Sequence, residues 1–216
     1  MAQAMTITGL LGGSFNPAHR GHRAISLHAI AALGLDDLWW LVSPGNPLKD
    51  GADDMAPLAA RLASARDMAR RAPIRATAVE AELGTRYTVD TVAALVRRYP
   101  KRRFIWLMGS DNLAQFHRWR DWRKLARIVP IAVVARPGYD AAVHAAPAMG
   151  WLRRYVRPAS QVAHWTDWRP PALVLLRFRP DPTSATLLRR INPDWHRRYG
   201  HDQRPPAHSP VHHPPV

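Results

Sequence analysis

Thr6-Ile7-Thr8-Gly9-Leu10-Leu11, followed by Gly12-Gly13-Ser14-Phe15-Asn16-Pro17-Ala18-His19-Arg20-Gly21-His22, is the stretch that decides the fold. Its first six residues form a short, mostly apolar run that reads as a strand. From Gly21 to Leu33 apolar residues recur at helical spacing, with Ile25, His28, Ala29 and Ala32 on one side, so a helix follows the strand directly. Between the two, the glycines let main chain approach a ligand closely and Asn16-Pro17 forces a turn. His19 and His22, three apart at the helix start, face the same way. Unpaired N–H groups at such a terminus attract phosphate, and two imidazoles beside it can donate hydrogen bonds to phosphate oxygens or, when cationic, neutralise them. The string is neither the GxGxxG dinucleotide fingerprint nor a GxxxxGK[ST] loop, so those two chemistries lose support.

Working outward, strands and helices alternate. Leu38–Val42, Ile74–Val79, Phe104–Met108, Ile131–Ala135 and Ala172–Phe178 read as strands. Helices are expected over Pro57–Arg71, Thr88–Tyr99 with Val89, Val92, Ala93 and Val96 inward, Asp111–Ala126 with an interruption, Val143–Tyr155 and Ser184–Arg190. Ser43–Met55, rich in Pro, Gly and Asp, reads as a long loop. This order predicts an α/β fold: a doubly wound parallel sheet covered by helices on both faces, with ligands at the carboxyl ends of the strands where strand order reverses. One domain is expected over residues 1–197. Residues 198–216, with five prolines and four histidines in the last sixteen positions, are expected to be a disordered tail. The Trp- and Pro-rich stretch from Ala159 to Pro171 receives no assignment.

Composition narrows the chemistry. With 216 residues the chain suits one domain and a sizeable core. It lacks cysteine, which excludes disulfides, thiolate metal sites and a cysteine nucleophile. No apolar run reaches the roughly 18 residues of a membrane span, and Met1–Leu11 lacks the pattern of a signal peptide, so a cytoplasmic protein with no membrane partner is expected. The net charge of +15 points to an anionic partner, nucleic acid or phosphates. Lysine, however, occurs only at Lys49, Lys101 and Lys124; the remaining basic residues are arginine beside abundant alanine and 20 prolines, the bias of a GC-rich coding background. Much of that charge therefore reads equally well as a solvated surface.

Here a resemblance becomes specific. Gly13 to His22 resembles the G-x-F-x-P-x-H-x-G-H signature of the nucleotidyltransferase superfamily, and Ser184-Ala185-Thr186-Leu187-Leu188-Arg189 resembles its second signature, S-[SA]-T-x-x-R. Pro44-Gly45-Asn46-Pro47-Leu48-Lys49, Arg86-Tyr87-Thr88-Val89-Asp90-Thr91, Gly109-Ser110-Asp111, Phe116 to Trp122 and Arg136-Pro137-Gly138 lie between the two. The series looks like the nicotinate-nucleotide adenylyltransferase family, over about Thr6 to Arg189. The resemblance implies a Rossmann-like fold of the nucleotidyltransferase type and adenylyl transfer from ATP to nicotinate mononucleotide, giving deamido-NAD and pyrophosphate. It implies ATP contacts at Gly13, Ser14, Phe15, His19, His22, Gly109, Asp111, Ser184, Thr186 and Arg189. His19, His22, Lys49 and Arg189 would carry the chemistry. Acceptor contacts would fall on Asn46, Tyr87, Thr88, Trp119 and Arg136, with the Trp119 indole stacked on the pyridine ring. A Mg²⁺ ion would be held mainly through ATP phosphates and water rather than by protein ligands.

The residues carry plainer readings too. Thr88 suits an N-cap, and Asp90 in the first turn is favourable there whether or not it touches a ligand. Trp122 reads as core. Lys49 can approach a phosphate as a point charge or be an ordinary loop lysine, and Arg136 suits either an acceptor phosphate or a structural ion pair. Asp111 can accept from ribose or adenine groups or support a metal-bound water. Leu48 stands where the family's loop usually carries a histidine, and after Arg189 the V-P-x-x-V-x-x-Y-I pattern is replaced by Asn192-Pro193 and basic residues. The rival readings are a sibling transferase acting on nicotinamide mononucleotide or phosphopantetheine, and a catalytically silent nucleic-acid-binding relative. No helix-turn-helix, RRM or zinc-finger pattern favours the last, and nothing in the sequence specifies an oligomer.

Overall fold

The computed structural model describes residues 5–45, 55–135, 140–178, 181 and 183–199. Its centre is a seven-stranded sheet: β1 (Thr6–Gly13), β2 (Asp37–Val42), β3 (Ile74–Thr77), β4 (Arg102–Gly109), β5 (Ile131–Ala135), β6 (Val156–Arg157) and β7 (Leu173–Arg177), in the order β3-β2-β1-β4-β5-β7-β6. Every pairing is parallel. The sequence-based expectation of a doubly wound parallel sheet is met, and β6, a two-residue edge strand, is the piece it lacked.

Alternation along the strands assigns the two faces. Leu10, Trp39, Leu41, Trp106, Met108, Ile131 and Val133 point to one side, where they meet Val89, Val92 and Leu95 of α4 (Thr88–Arg98) and Leu125 and Ala126 of α6 (Trp122–Ile128). Leu11, Leu38, Trp40, Val42, Ile105, Leu107, Ala132 and Val134 point to the other, against Ala29 and Leu33 of α1 (Arg20–Leu33) and Ala65 and Ala69 of α2 (Leu58–Ala69). Strands buried on both sides explain the continuous apolar runs. At the amino end of the sheet Arg102 ties the three central strands, donating to Thr8 Oγ1 at 2.6 Å and to Asp37 Oδ2 at 3.0 Å.

Several expectations shift. In α4 the buried face is Val89, Thr91, Val92 and Leu95, and Val96 is exposed. Tyr87, not Thr88, is the N-cap of α4, without a side-chain capping bond. In α1 the buried side is Gly21, Ser26, Ala29 and Leu33, because the Ser26 hydroxyl donates to His22 O and accepts from Trp40 Nε1, each at 2.8 Å, so a polar residue is satisfied inside. Strand β3 stops at Thr77, and Val79 begins the short helix α3 (Val79–Leu83). The interrupted helix is α5 (Ser110–Gln115), a 3-10 turn over Phe116–Arg118, then α6. Val143–Tyr155 divides between α7 (Asp140–Ala145), α8 (Met149–Leu152) and a 3-10 turn.

The unassigned stretch is largely a 3-10 segment, Ala159–Asp167, that buries Trp165 completely and closes the second face through Trp165 Nε1 donating to Leu33 O at 2.8 Å. The last helix, α9 (Ala185–Ile191), is followed by a 3-10 turn over Trp195–Tyr199 that packs Trp195 inward and bonds the Tyr199 hydroxyl to Asp67. Within the expected tail, Arg198 and Tyr199 are thus ordered in that turn; residues 200–216 lie outside the described residues. Among the described residues no helix is long and apolar enough to cross a membrane.

Candidate active site

Strand order reverses between β1 and β4, so the crevice lies at Gly12-Gly13 and Gly109-Ser110, where both strands end. His19 is the N-cap of α1 and His22 its third helical residue. Each imidazole uses Nδ1 as an acceptor: His19 Nδ1 takes the Gly21 N–H at 3.1 Å, and His22 Nδ1 takes the His19 N–H at 3.3 Å. This reciprocal capping fixes the tautomer of the neutral rings. Both carry the proton on Nε2, leaving an N–H donor on each. The ring centroids stand 3.8 Å apart. Burial, reinforced by the neighbouring imidazole's charge, pushes the His22 pKa down to about 3. Burial also lowers His19, against the opposing pull of the Asp181 carboxylate. The pair is therefore neutral at physiological pH, and the cationic alternative raised by the sequence does not hold for the free protein.

Phe15 sits at φ +48° with its ring buried, stacked on Trp40 at 5.0 Å and tilted against His22 at 4.8 Å. Its side chain thus supports the His22 imidazole from behind, and only its main chain remains for a ligand. Asn16 Oδ1 accepts from Ala56 N at 3.2 Å, and its carbonyl receives the Arg189 guanidinium at 2.7 Å. That bond joins the histidine loop to α9 across 173 residues of chain. The approach is close: a Cβ on Gly21 would lie 2.9 Å from the His19 ring and 3.1 Å from Thr183 O. Ser184 caps α9 by accepting from Leu187 N at 3.2 Å, and Thr186 is exposed on its first turn.

Arg61 escaped the sequence reading. Its side chain is buried on α2 and donates to four main-chain carbonyls: Ala56 (2.8 Å), Ser14 (2.8 Å), Ser43 (2.7 Å) and Pro44 (3.0 Å). One guanidinium thereby fastens the loop after β1 to the loop after β2. In an arginine-rich chain nothing marked this arginine out.

Across the switch point, Gly109 caps α5 and the Asp111 carboxylate folds back against it. Trp106 of β4 lies over Gly12, where a Cβ would come within 2.7 Å of its ring, and meets Trp119 edge-on at 6.2 Å. The Trp106 indole N–H is buried with no acceptor among the described residues. Trp119 and Tyr87 are both half-buried against the same core face, and Trp122 packs there as expected. Tyr87 and Thr88 open α4 at this edge of the sheet. The structure therefore brings Gly13, Ser14, Phe15, His19, His22 and Arg189 together and sets Gly109, Asp111, Trp119, Tyr87 and Thr88 along the same edge. Asn46, Lys49 and Arg136 lie outside the described residues.

A family model for cytidylyltransferase-like proteins matches residues 10–191. A protein of Erythrobacter litoralis, named a probable nicotinate-nucleotide adenylyltransferase, is 64% identical over 192 residues, covering 89% of this chain and 87% of its own. The chain belongs to the nicotinate-nucleotide adenylyltransferase family. A further member so named, from Cereibacter sphaeroides, is 50% identical over 85% of this chain and 96% of its own. The nicotinic acid mononucleotide adenylyltransferase of Plasmodium falciparum, solved in complex with NaAD, shares the fold with a TM-score of 0.60 at 15% identity, over 86% of this chain and 83% of that one. Adenylyltransferase membership accounts for the order of the two signatures, one at each end of the matched region.

Proposed function

We propose that the chain joins ATP and nicotinate mononucleotide into deamido-NAD with release of pyrophosphate, a step of NAD biosynthesis, and that the paired imidazoles and Arg189 form its phosphate-handling centre. The observation that carries this is the 2.7 Å bond from Arg189 to the Asn16 carbonyl, by which the carboxyl-terminal guanidinium meets the loop that presents both imidazoles. Family membership supports the same reading.

The acceptor's phosphate oxygen attacks the α-phosphorus of ATP in line, and pyrophosphate departs on the opposite side. The nucleophile is already anionic, so no general base or protein nucleophile is required. Positioning and charge stabilisation then supply the rate. The Nε2–H groups of His19 and His22 donate to oxygens of the α-phosphate as charge builds there. Arg189, with the hydroxyls of Ser184 and Thr186, holds the leaving phosphates; Lys49 joins them on the strength of the family motif. Gly13, Ser14, Gly109 and Asp111 border the nucleotide, while Trp119, Tyr87 and Thr88, with Asn46 and Arg136, take the acceptor. The Trp119 face stacks on the pyridine ring.

Among the described residues no group of three or more His, Asp or Glu side chains forms a cation cage. A divalent cation, Mg²⁺ in this proposal, would then be held by ATP phosphates and water, with Asp111 the nearby carboxylate that fits its preference for oxygen. Bound there it offsets phosphate charge.

Purified protein supplied with ATP, Mg²⁺ and nicotinate mononucleotide should yield deamido-NAD and pyrophosphate in equal amounts. Turnover with phosphopantetheine in place of nicotinate mononucleotide would assign the chain to the sibling reaction instead.

A further inference from the structure

Nicotinate and nicotinamide mononucleotides present the same ring face, ribose and phosphate, so stacking on Trp119 cannot tell them apart. They differ at one substituent. The acid carries a carboxylate, which only accepts hydrogen bonds and bears a negative charge, whereas the amide is neutral and offers N–H donors. A site that selects the acid needs a donor without acceptor capacity, and a guanidinium is such a group.

Arg120 follows Trp119 directly and lays its guanidinium over the Tyr87 ring, with Cζ 4.5 Å from the centroid. Tyr87 and Trp119 pack against the same core face at the carboxyl edge of the sheet. The arginine side chain is exposed, and its N–H groups make no hydrogen bond or ion pair with any described residue. A guanidinium lying flat on an aromatic face keeps its in-plane N–H edge free for a bidentate partner. The carboxyl-terminal half of the 3-10 turn before it, His117–Arg118, is exposed as well, but only Arg120 is held in place by an aromatic platform among the expected acceptor residues.

We infer that Arg120, fixed on Tyr87 beside Trp119, is the residue that selects the pyridine carboxylate over the carboxamide. This rests on the acceptor assignment above. Stacking places the ring, and the guanidinium reads its substituent. The amide meets donors facing donors and loses the charge attraction.

The test compares kcat/KM for nicotinate and nicotinamide mononucleotides, at saturating ATP, in the full-length chain and its Arg120→Gln, Arg120→Lys and Arg118→Gln variants, by pyrophosphate release. Arg120→Gln should lower kcat/KM for the acid 10- to 100-fold, mainly through KM, leave the amide within about threefold, and leave KM for ATP unchanged. Arg120→Lys, which keeps the charge but loses the planar fork, should fall between. Arg118→Gln removes an equal charge nearby and should keep wild-type selectivity. Equal losses on both substrates in Arg120→Gln, an unchanged ratio, a matching effect in Arg118→Gln, or a wild type that does not discriminate would each overturn the assignment. A wild type that uses neither mononucleotide would instead sink the adenylyltransferase reading itself.

Discussion

His22 combines two tasks in one ring, since Nδ1 caps α1 while Nε2–H faces the crevice. Asparagine can repeat the first task, its carboxamide oxygen standing in for Nδ1, but cannot reach with the second donor. His22→Asn should therefore fold with a melting temperature near wild type and lose about 100-fold or more in kcat, with little change in KM for ATP, as when one transition-state donor is removed. His22→Ala should show the same kinetic loss and forfeit a further ~1 kcal/mol of stability with the cap. The depressed pKa makes a second prediction. A group whose folded pKa lies near 3 against 6.5 in the unfolded chain leaves the unfolded state binding more protons between those values, so its contribution is fully present above pH 6.5 and lost as pH falls towards 3. Denaturation midpoints measured from pH 7 to 4 should drop less steeply in His22→Asn than in wild type, and the wild-type His22 ring resonances should not titrate above pH 5. The sequence made the two histidines visible as a motif. It could not reveal their charge state, because that follows from Phe15, Trp40 and Ser26, which close around the ring only in the folded chain.

At the scale of elements, the alternation of strand and helix was legible because parallel strands covered on both sides read as unbroken apolar runs and amphipathic helices carry their own period. What failed followed from tertiary satisfaction of polar groups. Ser26 is inside because Trp40 needs an acceptor, and Thr91 is inside because its hydroxyl pairs with that of Thr85 at 2.8 Å and reaches back to Tyr87 O. Arg61 is the extreme case, a long cationic side chain whose four carbonyl partners come from segments up to 47 residues away. Arg61→Met should strand those carbonyls and cost roughly 3 kcal/mol or more in urea unfolding. Where α1 meets the start of α9, Gly21→Ala brings a methyl group against Thr183 O and the His19 ring. Its expected signature is a raised KM for ATP with unfolding midpoint shifted by only a few degrees, since the added atom displaces a surface segment rather than the core.

The whole molecule is a sheet whose central strand is the first made, flanked by β2 and β4, with the functional edge assembled from both ends of the sequence. Chains ended after Tyr199 should match full-length protein in melting temperature and turnover, because the turn that seats Trp195 and bonds Tyr199 to Asp67 is retained. Ending after Asn192 removes that turn, uncovers α2 and should cost about 2 kcal/mol, the burial of one aromatic side chain. A final consequence follows from the span between Asn16 and Arg189. A nascent polypeptide can fold most of its sheet while still attached to the ribosome, yet it stays inert until nearly the last ordered residues emerge. Premature stops therefore leave well-packed fragments that cannot consume ATP, and synthesis itself acts as the gate on when this catalyst first turns over.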